Sequence, residues 1–117
     1  MSLEELAVVR QLLAGLVTGE ARSLEDFRTS YDEAGKAFGL PEGVTVTPVS
    51  AGRVPGEWLA PAAGAGKRVL LYLHGGGYAL GSLDSHRHLA ARAALALKGR
   101  VLLIDYRRSP EHPFPAA

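Results

Sequence analysis

The 117-residue sequence predicts an α/β fold with a mostly parallel sheet. Two apolar runs carry that reading, "RVLLYLH" over 68–74 and "RVLLIDY" over 100–106, together with the helical pattern between them. Runs that are apolar on both faces suit parallel strands covered on both sides. Between them Leu89, Ala90, Ala93, Ala94 and Leu97 recur at helical spacing, and Gly99 stops the pattern. Strand, helix and strand then make a right-handed βαβ unit.

The elements before that unit follow in order. Ser2 and Glu5 have the spacing of a capping box, and Leu6, Val9, Leu13 and Leu16 continue one helix face, with Gly19 as its stop. Ser23 and Asp26 repeat the capping signal. Leu24, Phe27, Tyr31, Ala34 and Phe38 mark the face of a second helix, read as a core-packing stripe, and Gly39 with Pro41 ends it. From Gly43 the period changes to two. "VTVTPVSAG" carries Pro48, which suits an outer strand, and "RVPGEWLAPA" follows with a turn signal at Pro55-Gly56. "AAGAGK", 62–67, reads as a flexible turn. The division expected is a helical segment over 1–42 and an α/β segment over 43–117. The chain closes in "SPEHPFPAA", where Pro115 to Ala117 read as the first turn of a further helix. Parallel strands need helices on both sheet faces, so the polypeptide reads as the N-terminal part of something larger.

Composition narrows the function classes. A hydrophobic fraction of 47% and a net charge of +1 describe a folded chain without the basic stripe that nucleic acid requires. No cysteine is present, which excludes disulfides and thiol-ligated metals. The N-terminus lacks the basic start and long apolar core of a signal peptide, and no membrane-length apolar run occurs, so the expectation is cytoplasmic with no membrane partner.

The chemistry concentrates in "LYLHGGGYALGS", 71–82. Glycine costs roughly 0.5–1 kcal/mol against alanine in regular structure, so three in a row after a strong strand need a reason. Bare backbone N–H groups can cradle a small anion. A phosphate is one option: Gly75, Gly77 and Gly81 with Asp105, Arg107 and Arg108 imitate a dinucleotide site. That remote alternative is weakened by "YALGSLD", which separates the glycines from the helix whose N-terminus should hold the pyrophosphate. The oxyanion of acyl transfer is the other option.

The histidine followed by three glycines resembles the "HGGG" element of α/β-hydrolase esterases and lipases. With "GEWLAPA", "HGGGYALGSLDSHR" and "IDYRRSPEHPFPAA", the stretch from Gly43 to Ala117 looks like the hormone-sensitive-lipase-like branch of bacterial carboxylesterases. The leading helices resemble the N-terminal half of that family's cap. Arg108-Ser109 departs from the apolar-alanine pair more usual before Pro-Glu. The resemblance implies an incomplete α/β-hydrolase fold of cap helices and first strands. It implies oxyanion-hole N–H groups from Gly75 and Gly76, support from His74 and Gly77, and Tyr78 either bordering the acyl pocket or packing. Gly76→Val in the complete enzyme is then expected to slow turnover with the fold intact.

The triad of such enzymes runs Ser, Asp or Glu, then His, and no Gly-x-Ser-x-Gly elbow occurs in this sequence. A complementing C-terminal segment or chain is therefore the implied partner, with a small-molecule ester as substrate and no cofactor. This chain alone is expected to be inactive, and a homo-oligomer of the complete enzyme stays open. The rival of another class is a non-catalytic fragment or interaction module. Asp84, His86 and His88 are too poorly aligned on a helix to share a metal. Glu111, His112, Tyr106 and Arg107 read as loop braces.

Overall fold

The computed structural model describes residues 2–17 and 22–117, with side chains described over 2–14 and 22–117. The expected stop at Gly19 and the Leu16 side chain lie outside them. The order is α1 (Leu3–Val17), α2 (Leu24–Lys36), β1 (Val44–Ala51), β2 (Val54–Pro61), β3 (Val69–Leu73), α3 (Leu83–Leu97) and β4 (Arg100–Ile104). Both N-terminal capping boxes form. Glu5 N–H donates to Ser2 Oγ at 3.1 Å, and Ser23 and Asp26 exchange the reciprocal pair. Ser82 caps α3 in the same way with Ser85.

The sheet order is β1-β2-β4-β3. β1 pairs β2 and β2 pairs β4 antiparallel, while β3 and β4 are parallel with Leu71 opposite Leu102. A short connection makes the β1–β2 hairpin, and the helical crossover α3 makes the parallel β3–β4 pair and carries β4 in between β3 and β2. β1, with Pro48, is an outer strand. The hairpin before β2 turns at Gly52, φ +68°, and not at Pro55-Gly56, which lie inside β2 and pair with β1. Residues 113–116 close in a hydrogen-bonded turn from Ala116 N–H to Pro113 O, not in a helical first turn.

The core lies between α3 and one sheet face, where Ala90, Ala91 and Ala94 meet Leu59, Val101 and Leu103. Small residues on α3 bring it close to the sheet. The buried Glu57 of β2 anchors the same interface through two 2.7 Å bonds from Arg87, which also donates to Asp84. The shortest dimension is 17 Å, room for one sheet and one helix layer. β4 is buried at Val101 and Leu103 as expected, but β3 is not. Val69, Leu71 and Leu73 are 54, 55 and 60% exposed, because they lie on the sheet face away from α3 and β3 is the outermost strand on its side of the described sheet.

The expected core stripe of α2 is also corrected. Of that stripe Leu24 is half-buried but Phe27, Tyr31, Ala34 and Phe38 are exposed, and the helix docks through Leu24 together with Arg28, Asp32 and Gly35. A Cβ at Gly35 would strike the Ser85 backbone of α3, so α2 sits closer than any other residue there allows. Polar bonds hold this approach: Ser82 Oγ donates to Asp32 Oδ1 at 2.6 Å, and Lys36 pairs with Asp84 at 3.4 Å. On α1, Leu3, Val8, Leu12 and Leu13 are more than half exposed and Val9 is 41% exposed.

Candidate active site

β3 delivers the chain into the loop His74–Gly81, and Ser82 begins α3. Three successive carbonyls of this loop are anchored. The Tyr106 hydroxyl donates to His74 O at 2.5 Å; His74 Nδ1 lies 3.0 Å from Gly75 O and donates to it; Gly76 O accepts from Ala79 N–H at 3.1 Å and Leu80 N–H at 2.8 Å. In a trans peptide, the C=O of one residue and the N–H of the next point in opposite directions. Each anchored carbonyl therefore aims the following N–H the other way. These are the N–H groups of Gly75, Gly76 and Gly77, and among the described residues none of them donates to a protein acceptor.

The His74 ring is the keystone of the loop. It is buried, lies stacked on Tyr106 with centroids 4.2 Å apart, and neighbours His86 at 5.6 Å. Its Nε2 faces Asp105 Oδ1 at 3.8 Å, beyond hydrogen-bond range, and neither atom has another partner among the described residues. Burial, and secondarily the nearby His74, holds His86 below the ordinary histidine range, so its ring is neutral at pH 7. Burial pushes the Tyr106 phenol up, which keeps it a donor at neutral pH.

Glycine is required at Gly76, where φ is +128° and a Cβ would overlap the Leu80 carbonyl. Valine there forces the loop to move, so Gly76→Val changes the loop's shape as well as its N–H. Gly75 has ordinary φ and open space, the nearest atom to a Cβ being His86 Nε2 at 3.9 Å. Gly77 and Gly81 adopt φ of +60° and +89°. Tyr78, between them, holds φ +60°, a conformation that costs a non-glycine residue energy. Its ring is 66% exposed and borders two clefts. The larger, about 450 Å³, is lined by Leu73 to Tyr78, Ile104 and Tyr106.

The remaining sequence candidates are placed away from this cleft or brace it. Asp84 binds Arg87, His86 turns inward between Tyr31, Tyr72 and His74, and His88 stacks on Phe38. No three metal-ligating side chains converge among the described residues. Glu111 pairs with Arg28 of α2, and Arg107 donates to Ala116 O. Sequence reasoning missed Arg28 and the Glu57–Arg87 pair, since neither lies in a recognisable local pattern.

A family described by its alpha/beta hydrolase fold matches residues 70–117, which hold all of β3 but Val69, the glycine loop, α3 and β4. An acetyl-hydrolase from Streptomyces hygroscopicus is 46% identical over 120 residues, covering all of this chain and 39% of the relative. A crystal structure of an esterase from the bacterial hormone-sensitive lipase family superimposes with a TM-score of 0.90 at 33% identity, over 99% of this chain and 39% of the other. The chain belongs to the bacterial hormone-sensitive-lipase-like family of the α/β-hydrolase fold. A hormone-sensitive lipase from a metagenome library agrees, with a TM-score of 0.87 at 33% identity over 100% of this chain and 39% of that one. A carboxylic ester hydrolase from Mycobacterium tuberculosis, LipN, is 43% identical over 70 residues, 60% of this chain and 19% of its own length. The chain thus spans about two fifths of the length of the acetyl-hydrolase and of the hormone-sensitive-lipase-family esterase.

Proposed function

We propose that this chain supplies the oxyanion-binding part of a carboxylic-ester hydrolase whose Ser/Asp/His triad lies on a complementing C-terminal segment. The observation that carries the reading is the row of unengaged N–H groups at Gly75, Gly76 and Gly77, aimed by three anchored carbonyls at the rim of a cleft. The serine oxygen of the complementing segment attacks the ester carbonyl carbon, and the carbonyl electron pair moves onto oxygen. Gly75 and Gly76 N–H stabilise that negative charge. The histidine takes the serine proton and passes it to the leaving alkoxide as the ester C–O bond breaks. Water then repeats the sequence on the acyl-serine. Removing one such donor costs about 2.7–4 kcal/mol of transition-state stabilisation, more than the glycines cost in folding entropy. His74 and Gly77 hold the loop's shape, and Tyr78 borders the acyl side of the cleft.

The exposed edge of β3 supports this strand as the place where the proposed complementing segment joins. Arg100 N–H donates to Arg68 O, so in a parallel pair the backbone groups of 68, 70 and 72 face β4. Those of Val69, Leu71 and Leu73 face the open side, where a further strand can add.

Hydrolysis of p-nitrophenyl acetate tests the reading. This chain alone gives no turnover, and turnover appears when it is joined to or co-expressed with a C-terminal segment containing Gly-x-Ser-x-Gly. A folded complemented particle without activity overturns the proposal. The open β3 edge also favours a second reading, a non-catalytic interaction module; a monomeric 12.4 kDa chain that unfolds cooperatively and never gains activity selects it.

A further inference from the structure

We propose that Arg28, on α2, is a positioning residue for the glycine loop, so that the N-terminal helix sets the geometry of the oxyanion site; this rests on the oxyanion reading above. The side chain is 14% exposed, and its guanidinium spans two loops. Its Nε donates to Ala79 O at 2.8 Å, in the glycine loop. Its Nη2 donates to Ser109 O at 2.9 Å, in the loop after β4. Nη1 and Nη2 grip the Glu111 carboxylate at 2.5 and 2.9 Å, the bidentate geometry that a planar fork provides.

The two loops are also sewn to each other at the same place. Ser109 N–H donates to Tyr78 O at 2.8 Å, and Arg108 Nη1 donates to Gly81 O at 2.5 Å. The path from Arg28 to the site is short. Arg28 holds the carbonyl of Ala79, whose own N–H holds Gly76 O. Gly76 O belongs to the residue whose own N–H is a proposed oxyanion donor, so holding that carbonyl restrains the backbone that presents the donor. The strained backbone of Tyr78 sits in the middle of this path and needs such external ties to persist. No other side chain of α2 bonds to the 74–81 loop among the described residues; Asp32 reaches only Ser82, at the start of α3.

Arg28→Met and Arg28→Lys test the assignment by two readouts. The first is amide hydrogen exchange of this chain at Ala79, Leu80 and Ser109. Both variants exchange at least about tenfold faster there, with the Leu59 and Leu103 amides unchanged. The second is p-nitrophenyl acetate turnover of the complemented enzyme: kcat falls at least about tenfold and KM stays within about twofold in both variants. Lysine keeps the charge but not the fork, so a lysine variant matching wild type in both readouts overturns the assignment. So do wild-type amides without protection, or variant amides as protected as wild type. Unchanged kcat with faster exchange also overturns it. If wild-type complemented enzyme turns over no ester, the oxyanion reading falls, and the exchange rates alone decide whether Arg28 holds the loop.

Discussion

Tyr106 shows how one hydroxyl can fix the backbone of a loop. Its single bond to His74 O fixes the plane that carries the Gly75 N–H, while its ring packs on His74. A hydrogen bond of this kind contributes about 0.5–1.5 kcal/mol to stability, a modest amount. The proposed oxyanion donor that it aims is worth more, so on that proposal the catalytic effect exceeds the structural one. Tyr106→Phe keeps the stack and removes the bond. In the complemented enzyme kcat is expected to drop about tenfold with KM nearly unchanged, measured on p-nitrophenyl acetate. Unchanged kcat would show that the His74 plane is held without the hydroxyl. Neither this bond nor the His74–Asp105 approach is legible in "LHGGG" or "IDYRR" taken singly. The βαβ unit places the two segments side by side.

At the scale of elements, α2 belongs to the site more than its sequence suggests. Its aromatic stripe invites a core-facing assignment, but the α/β layer accepts it through Gly35 and a polar row. The reason is partner chemistry: the loops it meets offer backbone carbonyls and a carboxylate, which an arginine satisfies and a phenylalanine does not. This docking has a pH signature. The hydrogen bonds from Arg28 hold the Glu111 carboxyl at about 2, against an ordinary 4.5. A depressed carboxyl stabilises the folded form fully above its unfolded value, and the contribution is lost as pH falls through the folded value. The exchange rates of the Ala79 and Ser109 amides are therefore expected to be flat above about pH 5 and, after correction for intrinsic rates, to rise toward pH 2. Glu111→Gln should show the raised rate at neutral pH and lose that dependence; a Gln variant as protected as wild type would remove Glu111 from the clamp.

For the whole molecule, the decisive feature is the unequal exposure of two similar strands. "RVLLYL" and "RVLLID" carry the same apolar signal, yet on the face toward α3 Val101 of β4 is fully buried while its β3 neighbour Leu70 is 40% exposed. Position in the sheet makes the difference: β4 lies between β2 and β3, and β3 has a neighbour on one side. An edge of this kind recruits another strand. Leu71→Pro deletes an outward-facing N–H at the centre of that edge, so it should abolish complementation by a C-terminal segment in a co-purification assay. Leu71→Ala, which keeps the N–H, should weaken it less. Equal recovery of the segment with both variants would place the complementing contact elsewhere.

Local features were determined by the sequence itself. The capping boxes, the outer strand with Pro48, the strand–helix–strand unit and the glycine loop each depend on neighbours a few residues apart, and short-range sterics and hydrogen bonding are written in the order of side chains. The family resemblance is carried by the same local motifs. Tertiary structure alone decided which face of α2 is covered, which apolar strand is buried, and that Arg28 finds acceptors 51, 81 and 83 residues away. Those outcomes depend on which backbone carbonyls and carboxylates the folded sheet brings together, and periodicity along the chain carries no record of that.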